Sequence, residues 1–577
     1  MRARHRIASP GVGTSPSRLP AVLTLLLTLC ATGCVGTITG LGGSSSGGDD
    51  DGDVTNPDTP RNLCTAGEKD VAGPRLLRRL TGTEVTASVR DVFALSATDW
   101  SGGSLPTDPA GRNGFTNNAD RLTVDPGFAG NLLDTSKQIA TLVTQPQKLA
   151  QLLPCAAAAA SADAACARTY LDTVGRRLYR RPLGDAEKDR YLALLTRISA
   201  TGSFADWVYW ATIGLLDSPN FVYRSELGDP DGAGYRLSGY EIATALAFDL
   251  TGKPPSTALL DQAAAGGLDS PEQIAAAARA LALDPATGKA RPELRAIFLK
   301  FTDQWLGLSP LANLQKSAED FPDFTDEVRA SMKQETDDFV SNVVFEQGGG
   351  VKELLTSKVS YVDDTLAAYY GWGGGGASER PDGWGEGLLA QGSILAINAG
   401  NTKTSPTQRG KLVRKKLLCY DMPPPPPVVG DLPQPTGNET TRQRYEDIHA
   451  GNPSCAGCHA MMDGIGFGFE HLDASGRYRD TEDGLTIDDS GYFRGLESND
   501  LAFRGPAELA EQLAGRPEPY TCAAEYMASF AYGLDHHDTS CLVTSLAEDF
   551  AAGKLSIVDF YVQLTSTKYF TRRVDGD

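Results

Sequence analysis

Cys455-Ala456-Gly457-Cys458-His459 puts two thiols and an imidazole within five positions. The spacing C-x-x-C-H is the one that attaches a c-type haem. The thiols bond to the porphyrin vinyl groups and the histidine ligates iron. With 10 Cys and 6 His in 577 residues, random placement gives this pattern roughly 0.002 times per chain, so we read it as chemistry. Cys455 and Cys458 are the expected anchors and His459 the expected proximal ligand. Met462 tempts as the sixth ligand, but it lies three residues past His459, on the same side of the ring if the helix continues. Three residues span at most ~11 Å, so Met462 is read as packing. His449 has ten residues with which to round the porphyrin edge and is the preferred sixth ligand. His471, Met527, His536 and His537 stay open as alternatives. The competing chemistry is a Cys455–Cys458 disulfide with His459 incidental.

Other side chains of this stretch are read as structural. Asp463, Glu470 and Asp473 can pair with Arg477 and Arg479 or cap turns. No Ser-His-Asp order, HExxH or dinucleotide fingerprint is present, and whether the chain is an enzyme is left open.

Haem attachment requires export, and the first residues predict it. Arg2, Arg4, His5 and Arg6 form a charged start, and Leu19 to Leu29 is an apolar run of signal-peptide length. Ala31-Thr32-Gly33-Cys34 then reads as a lipobox, with Cys34 as the lipidated residue. Val35 follows it, and the absence of a retention-type Asp favours the outer membrane, on its periplasmic or surface side. Acyl chains would hold the protein at the membrane without a spanning helix. The net charge of −20 argues against nucleic acid as a partner.

Cys30 leaves with the signal and Cys34 takes lipid, so eight cysteines remain. Setting aside the haem pair leaves six, enough for three disulfides in an oxidising compartment. The expected pairs are Cys155–Cys166, Cys522–Cys541 and Cys64–Cys419. Connectivity is not deducible from sequence, and the same count permits four disulfides and no haem.

The elements that must position these groups are mostly helices. Thr81-x-x-Glu84 and Ser238-x-x-Glu241 are capping boxes, and Ser270-Pro271-Glu272-Gln273 puts proline at a first helical position. Residues 167–179, 325–345, 405–419, 505–514, 522–533 and 540–551 also read as helical. Strand signal is sparse: Leu485–Phe493, turning at Asp488 to Gly491, predicts one small hairpin. The fold class is mainly α, with several packed helical domains and a small cytochrome c-like helical segment. The predicted order is a signal peptide over 1–33, a flexible Gly/Ser/Asp tether over 34–62, and helical domains over 63–150, 151–232 and 233–315. A fourth, 316–430, ends in the proline run Pro423 to Pro427. The haem segment follows over 431–498 and a last helical domain over 499–577.

Several phrases, in the same order, resemble one family. They include Arg78-Arg79-Leu80-Thr81, Phe115-x-Asn117-Asn118-Ala119-Asp120, Arg180-Arg181-Pro182-Leu183, Ser218-Pro219-Asn220-Phe221, Gln408-Arg409-Gly410, and the run from Cys455 through Asp463, Glu470, Asp473 and Gly476 to Arg479. The sequence is similar to large exported proteins, also myxobacterial, built from planctomycete-type domains of unknown function with a planctomycete cytochrome c-like segment. Gly464 stands where that family often has proline, and Tyr532-Gly533-Leu534 lacks an arginine that often follows the glycine. The resemblance implies a haem c segment inside a multi-domain body, and no known reaction.

The combined expectation is an envelope-anchored, single-haem c-type lipoprotein that transfers electrons or oxidises a substrate. Its partners would be a redox protein, the membrane through its lipid, and an extracellular polymer or small molecule. The contrasting expectation is a non-catalytic surface-binding or structural lipoprotein holding the Cys455–Cys458 disulfide.

Overall fold

Capping boxes start helices where the sequence marks them. The Thr81 side chain accepts the Glu84 N–H, and Glu84 accepts the Thr81 N–H, opening α1 (Gly82–Val92). Ser238 and Glu241 do the same for α2 (Gly239–Thr251), which Gly252 ends in the left-handed region at φ 65°. Ser270 and Gln273 cap the helix Pro271–Ala282. These facts come from a computed structural model that describes residues 71–420, 422, 439–450, 453–494, 501–534 and 540–575. The expected signal peptide and tether, Cys34, Cys64 and the proline run Pro423 to Pro427 lie outside the described residues.

The chain is mainly α. Besides α1 and α2, four helices matter below: α3 (Pro292–Leu306), α4 (Pro406–Leu412), α5 (Pro453–Gly466) and α6 (Glu518–Tyr532). Wide π-type turns extend several of the expected helices. Leu171–Gly175 joins Ala164–Tyr170 to Arg176–Tyr179, Asn342–Glu346 prolongs Asp326–Ser341, and Val413–Leu417 prolongs α4.

Apolar side chains gather into two cores. One is built from residues between Leu80 and Val222, with Phe248 of α2 inserted into it. The other runs from Leu237 to Phe570 and takes in Phe115 from the N-terminal part. Phe115 meets Phe530 edge-on, with ring centroids 5.2 Å apart. Each core thus borrows an aromatic ring from the other's stretch of chain.

The strands are short. β1 (Gly73–Pro74), β2 (Leu76–Arg79), β3 (Tyr223–Glu226), β4 (Asp229–Asp231), β5 (Gly234–Arg236) and β6 (Arg572–Val574) tie distant segments together. The order β1-β6-β5-β4 makes a four-stranded sheet, and β2 pairs antiparallel with β3. The hairpin expected over Leu485–Phe493 is corrected. Leu485–Thr486 pairs back onto Thr481–Glu482, whereas Ser490–Phe493 pairs with Leu501–Arg504. The turn sits at Asp483-Gly484, both with positive φ (52° and 80°), which is a tight-turn geometry that Asp-Gly supplies.

What places the candidate site is the crossing of α4 and α5. A Cβ on Gly410 would collide with the backbone carbonyl of Met462, and one on Gly466 with that of Pro406. Glycine at both positions lets the two backbones touch. Buried Arg409 fixes the next turn by donating to the carbonyls of Phe469, Leu472 and Asp473 at 2.9, 2.6 and 2.7 Å.

Candidate functional site

His459 and Asp463 stand four residues apart on α5, so they share a face. The π-turn Glu446–Ala450 brings His449 to the same place, and α4 brings Thr407. The four groups converge on one carboxylate. His449 Nδ1 lies 2.6 Å from Asp463 Oδ2. His459 Nδ1 lies 3.2 Å from Oδ2 and 3.3 Å from Oδ1. The Thr407 hydroxyl donates to Oδ1 at 2.6 Å. An ionised carboxylate only accepts, so each imidazole must offer it Nδ1–H. In a neutral imidazole that tautomer, inferred from the network, makes Nε2 the atom that can ligate a metal.

Burial alone would raise the Asp463 carboxyl. The hydrogen bonds from His449, His459 and Thr407 outweigh it and hold the group below its ordinary value. The two imidazoles stack with centroids 3.5 Å apart and planes 33° apart. Tyr445 meets His449 edge-on at 4.9 Å. His449 is buried and His459 is partly open, facing a cleft of about 230 Å³. Ala456 and Ala460 form its small-residue floor, Phe467 and Tyr492 line it, and Arg494 stacks on Tyr492.

Among the anchors, Cys458 is a free thiol. The Cys455–Cys458 disulfide of the competing expectation is therefore not formed. The side chain of Cys455 lies outside the described residues, as do those of Cys541, His536 and His537. The structure brings His449 and His459 together, but on one carboxylate. His449, the expected sixth ligand, lies at the site and shares the orienting carboxylate with His459.

The alternatives are spent elsewhere. His471 Nδ1 donates to the Arg479 carbonyl at 2.8 Å and its ring stacks on Tyr478. Met527 is buried in α6, and Met462 is buried as packing. Arg479 pairs with Glu470 at 3.2 Å, and Asp473 accepts the N–H groups of Ser475 and Arg477, a structural role. Thr407 escaped sequence reasoning. Its only signal was its place one residue before the Gln408-Arg409-Gly410 phrase.

Two disulfides are present among the described residues. Cys155 bonds Cys166, and Cys419 bonds Cys522. The second replaces the expected Cys522–Cys541 and Cys64–Cys419. The start of α6 lies against the turn after α4, where Tyr526 donates to the Lys415 carbonyl and Trp305 to the Lys416 carbonyl.

Four family models match consecutive stretches, each described as a protein of unknown function. They are PSD3 (DUF1587) over residues 78–162, PSD5 (DUF1595) over 166–226, PSD4 (DUF1592) over 237–372 and PSCyt3 (DUF1588) over 385–482. The chain belongs to the planctomycete-type multi-domain family. Its PSCyt3 stretch, cytochrome-like by name, contains Thr407, His449, Cys458, His459 and Asp463. No curated protein and no solved structure matches the chain.

Proposed function

We propose that the PSCyt3 segment of this planctomycete-type protein carries a covalently attached haem c, and that the chain is an electron-transfer lipoprotein of the bacterial envelope. The observation that carries this reading is Asp463. It holds His459 as the Nδ1–H tautomer, which frees Nε2 beside the thiol-bearing turn. Metal-bound histidines characteristically donate their other nitrogen in this way. The free Cys458 thiol, the small residues Ala456 and Ala460, and aromatic walls fit a flat apolar group attached at one edge. When bound, haem would supply a one-electron couple. The protein's own part is to hold the imidazole, keep Asp463 ionised, and offer Arg494 at the rim for an anionic edge.

Two disulfides support an oxidising compartment. Cys34 would anchor the chain to the outer membrane, and the helical body would meet a redox partner, an extracellular polymer or a small substrate.

The deciding experiment is expression in a host with haem-attachment machinery, followed by denaturation. Haem should stay with the chain and be lost in the Cys455→Ser/Cys458→Ser double variant. A wild-type chain that carries no covalent haem in such a host would refute the proposal. One observation favours a second reading. His449, His459 and Asp463 offer ligand atoms all within 4.8 Å of one another, a His₂–carboxylate set that suits Zn²⁺. Stoichiometric zinc without haem in the same preparation would select it.

A further inference from the structure

A second cleft, of about 540 Å³, takes none of its lining from the cytochrome-like segment. That volume is within the ~300–1,000 Å³ range of small-molecule clefts. Part of its lining is one face of the β2–β3 pair. Leu77 lies opposite Ser225, and Tyr223 is two residues away on the same strand, so their side chains share that face. Tyr240 comes from α2. Leu77 is 52 % exposed, the highest value for a large apolar side chain among the described residues.

Most charges of this lining are spent inside the protein. Arg180 donates to the carbonyls of Leu178, Asn220, Phe221 and Tyr223 at 3.0, 2.8, 3.1 and 2.7 Å. Arg181 holds Glu187 with both terminal nitrogens at 2.9 Å, and Arg75 pairs with Asp575 at 3.1 Å. Glu241 accepts from the Ser225 hydroxyl and from the N–H groups of Leu227 and Gly228. Those N–H groups and the Tyr223 carbonyl are thereby closed to an added peptide strand. Two phenols and one carboxylate stay unspent. Tyr223 and Tyr240 are half-buried, with no hydroxyl partner among the described residues, and exposed Asp229 has no ion pair there.

A flat ring with a hydroxyl at its edge offers an apolar face and a polar tip. A sugar ring answers both, with its C–H face on the phenol and its hydroxyls toward Tyr223, Tyr240 and Asp229. We infer that this cleft binds a neutral polysaccharide chain, seated on Leu77, Tyr223 and Tyr240. An acidic polymer would meet Asp229 with no unpaired cation to offset it. A cationic one would meet the guanidinium groups of Arg75, Arg180 and Arg181.

The test is native electrophoresis of the full chain through gels that hold galactomannan, mixed-linkage glucan or dextran, with alginate as the acidic control. At least one neutral polymer should retard the protein, and alginate should not. Tyr240→Ala and Leu77→Glu should each raise the polymer concentration needed for half-retardation at least about tenfold, the scale of one lost anchor. Leu77 is exposed on a strand, so its replacement tests the site even if Tyr240→Ala does not fold. No retardation by any of the three neutral polymers overturns the inference. Equal retardation by alginate overturns it too, as does retardation unchanged in Leu77→Glu. None of these readings needs haem, so the cleft and the haem proposal fail or stand separately.

Discussion

Asp463 sets what both imidazoles can do. As a carboxylate it accepts from His449, His459 and Thr407 together, and a charged acceptor makes an imidazole ligand more basic. Asp463→Asn keeps the shape and removes the charge. In haem-loaded protein the midpoint potential should rise, because a less basic ligand stabilises oxidised iron less. Redox titration measures it, and an unchanged potential would reduce Asp463 to a packing role. The C-x-x-C-H spacing singled out His459, and the structure adds the carboxylate that holds its ring. Asp463 was legible only as an acid that could pair, although its i,i+4 offset from His459 already put the two on one face. Thr407 comes from 52 residues away, and no local pattern announces such a meeting. The meeting of His449 with Asp463 was not legible either. Ten residues bound how far a side chain can travel and say nothing of its direction, which a shared carboxylate decided.

Among the elements, the crossing of α4 and α5 governs the site. Gly410 faces the Met462 carbonyl with no room for a methyl group. Gly410→Ala should therefore part the two helices, at a cost of about 1–3 kcal/mol from overpacking. Thr407 and Asp463 should separate with them. Thermal unfolding reads the first effect, and the fraction of chains that retain haem reads the second. An alanine variant as stable as wild type would show that the crossing yields easily. Helix starts were readable from Thr81, Ser238 and Ser270, since capping is a matter of three neighbouring residues. The hairpin was misjudged because Asp488 to Gly491 looked like the turn, whereas Asp483-Gly484 has the positive-φ geometry. The partner of Ser490–Phe493 lies across residues 495–500, beyond any local signal.

At the scale of the whole molecule, Cys419–Cys522 closes a loop with a sequence separation of 103. Replacing both cysteines with alanine should cost about 2–5 kcal/mol, seen as a lower denaturant midpoint in the absence of reductant. Adding reductant to wild type should reproduce part of that loss. A double variant with an unchanged midpoint would show that the apolar packing of α6 carries the junction alone. The pairing was not legible because sequence distance favours near neighbours, whereas the fold lays α6 against the turn that follows α4.

The parallel pairing of β1 with β6 joins Gly73 to Arg573. Arg573 also reaches Glu226 at 2.6 Å, and Glu226 meets Arg78 at 3.4 Å. Some of the first described residues therefore wait for some of the last. A ribosome must pass Val574 before this seam can shut, and until then β1 and β5 present an open edge and Glu226 lacks one of its arginines. A premature stop just before Arg572 would leave the protein unlatched at β1, roughly five hundred residues upstream.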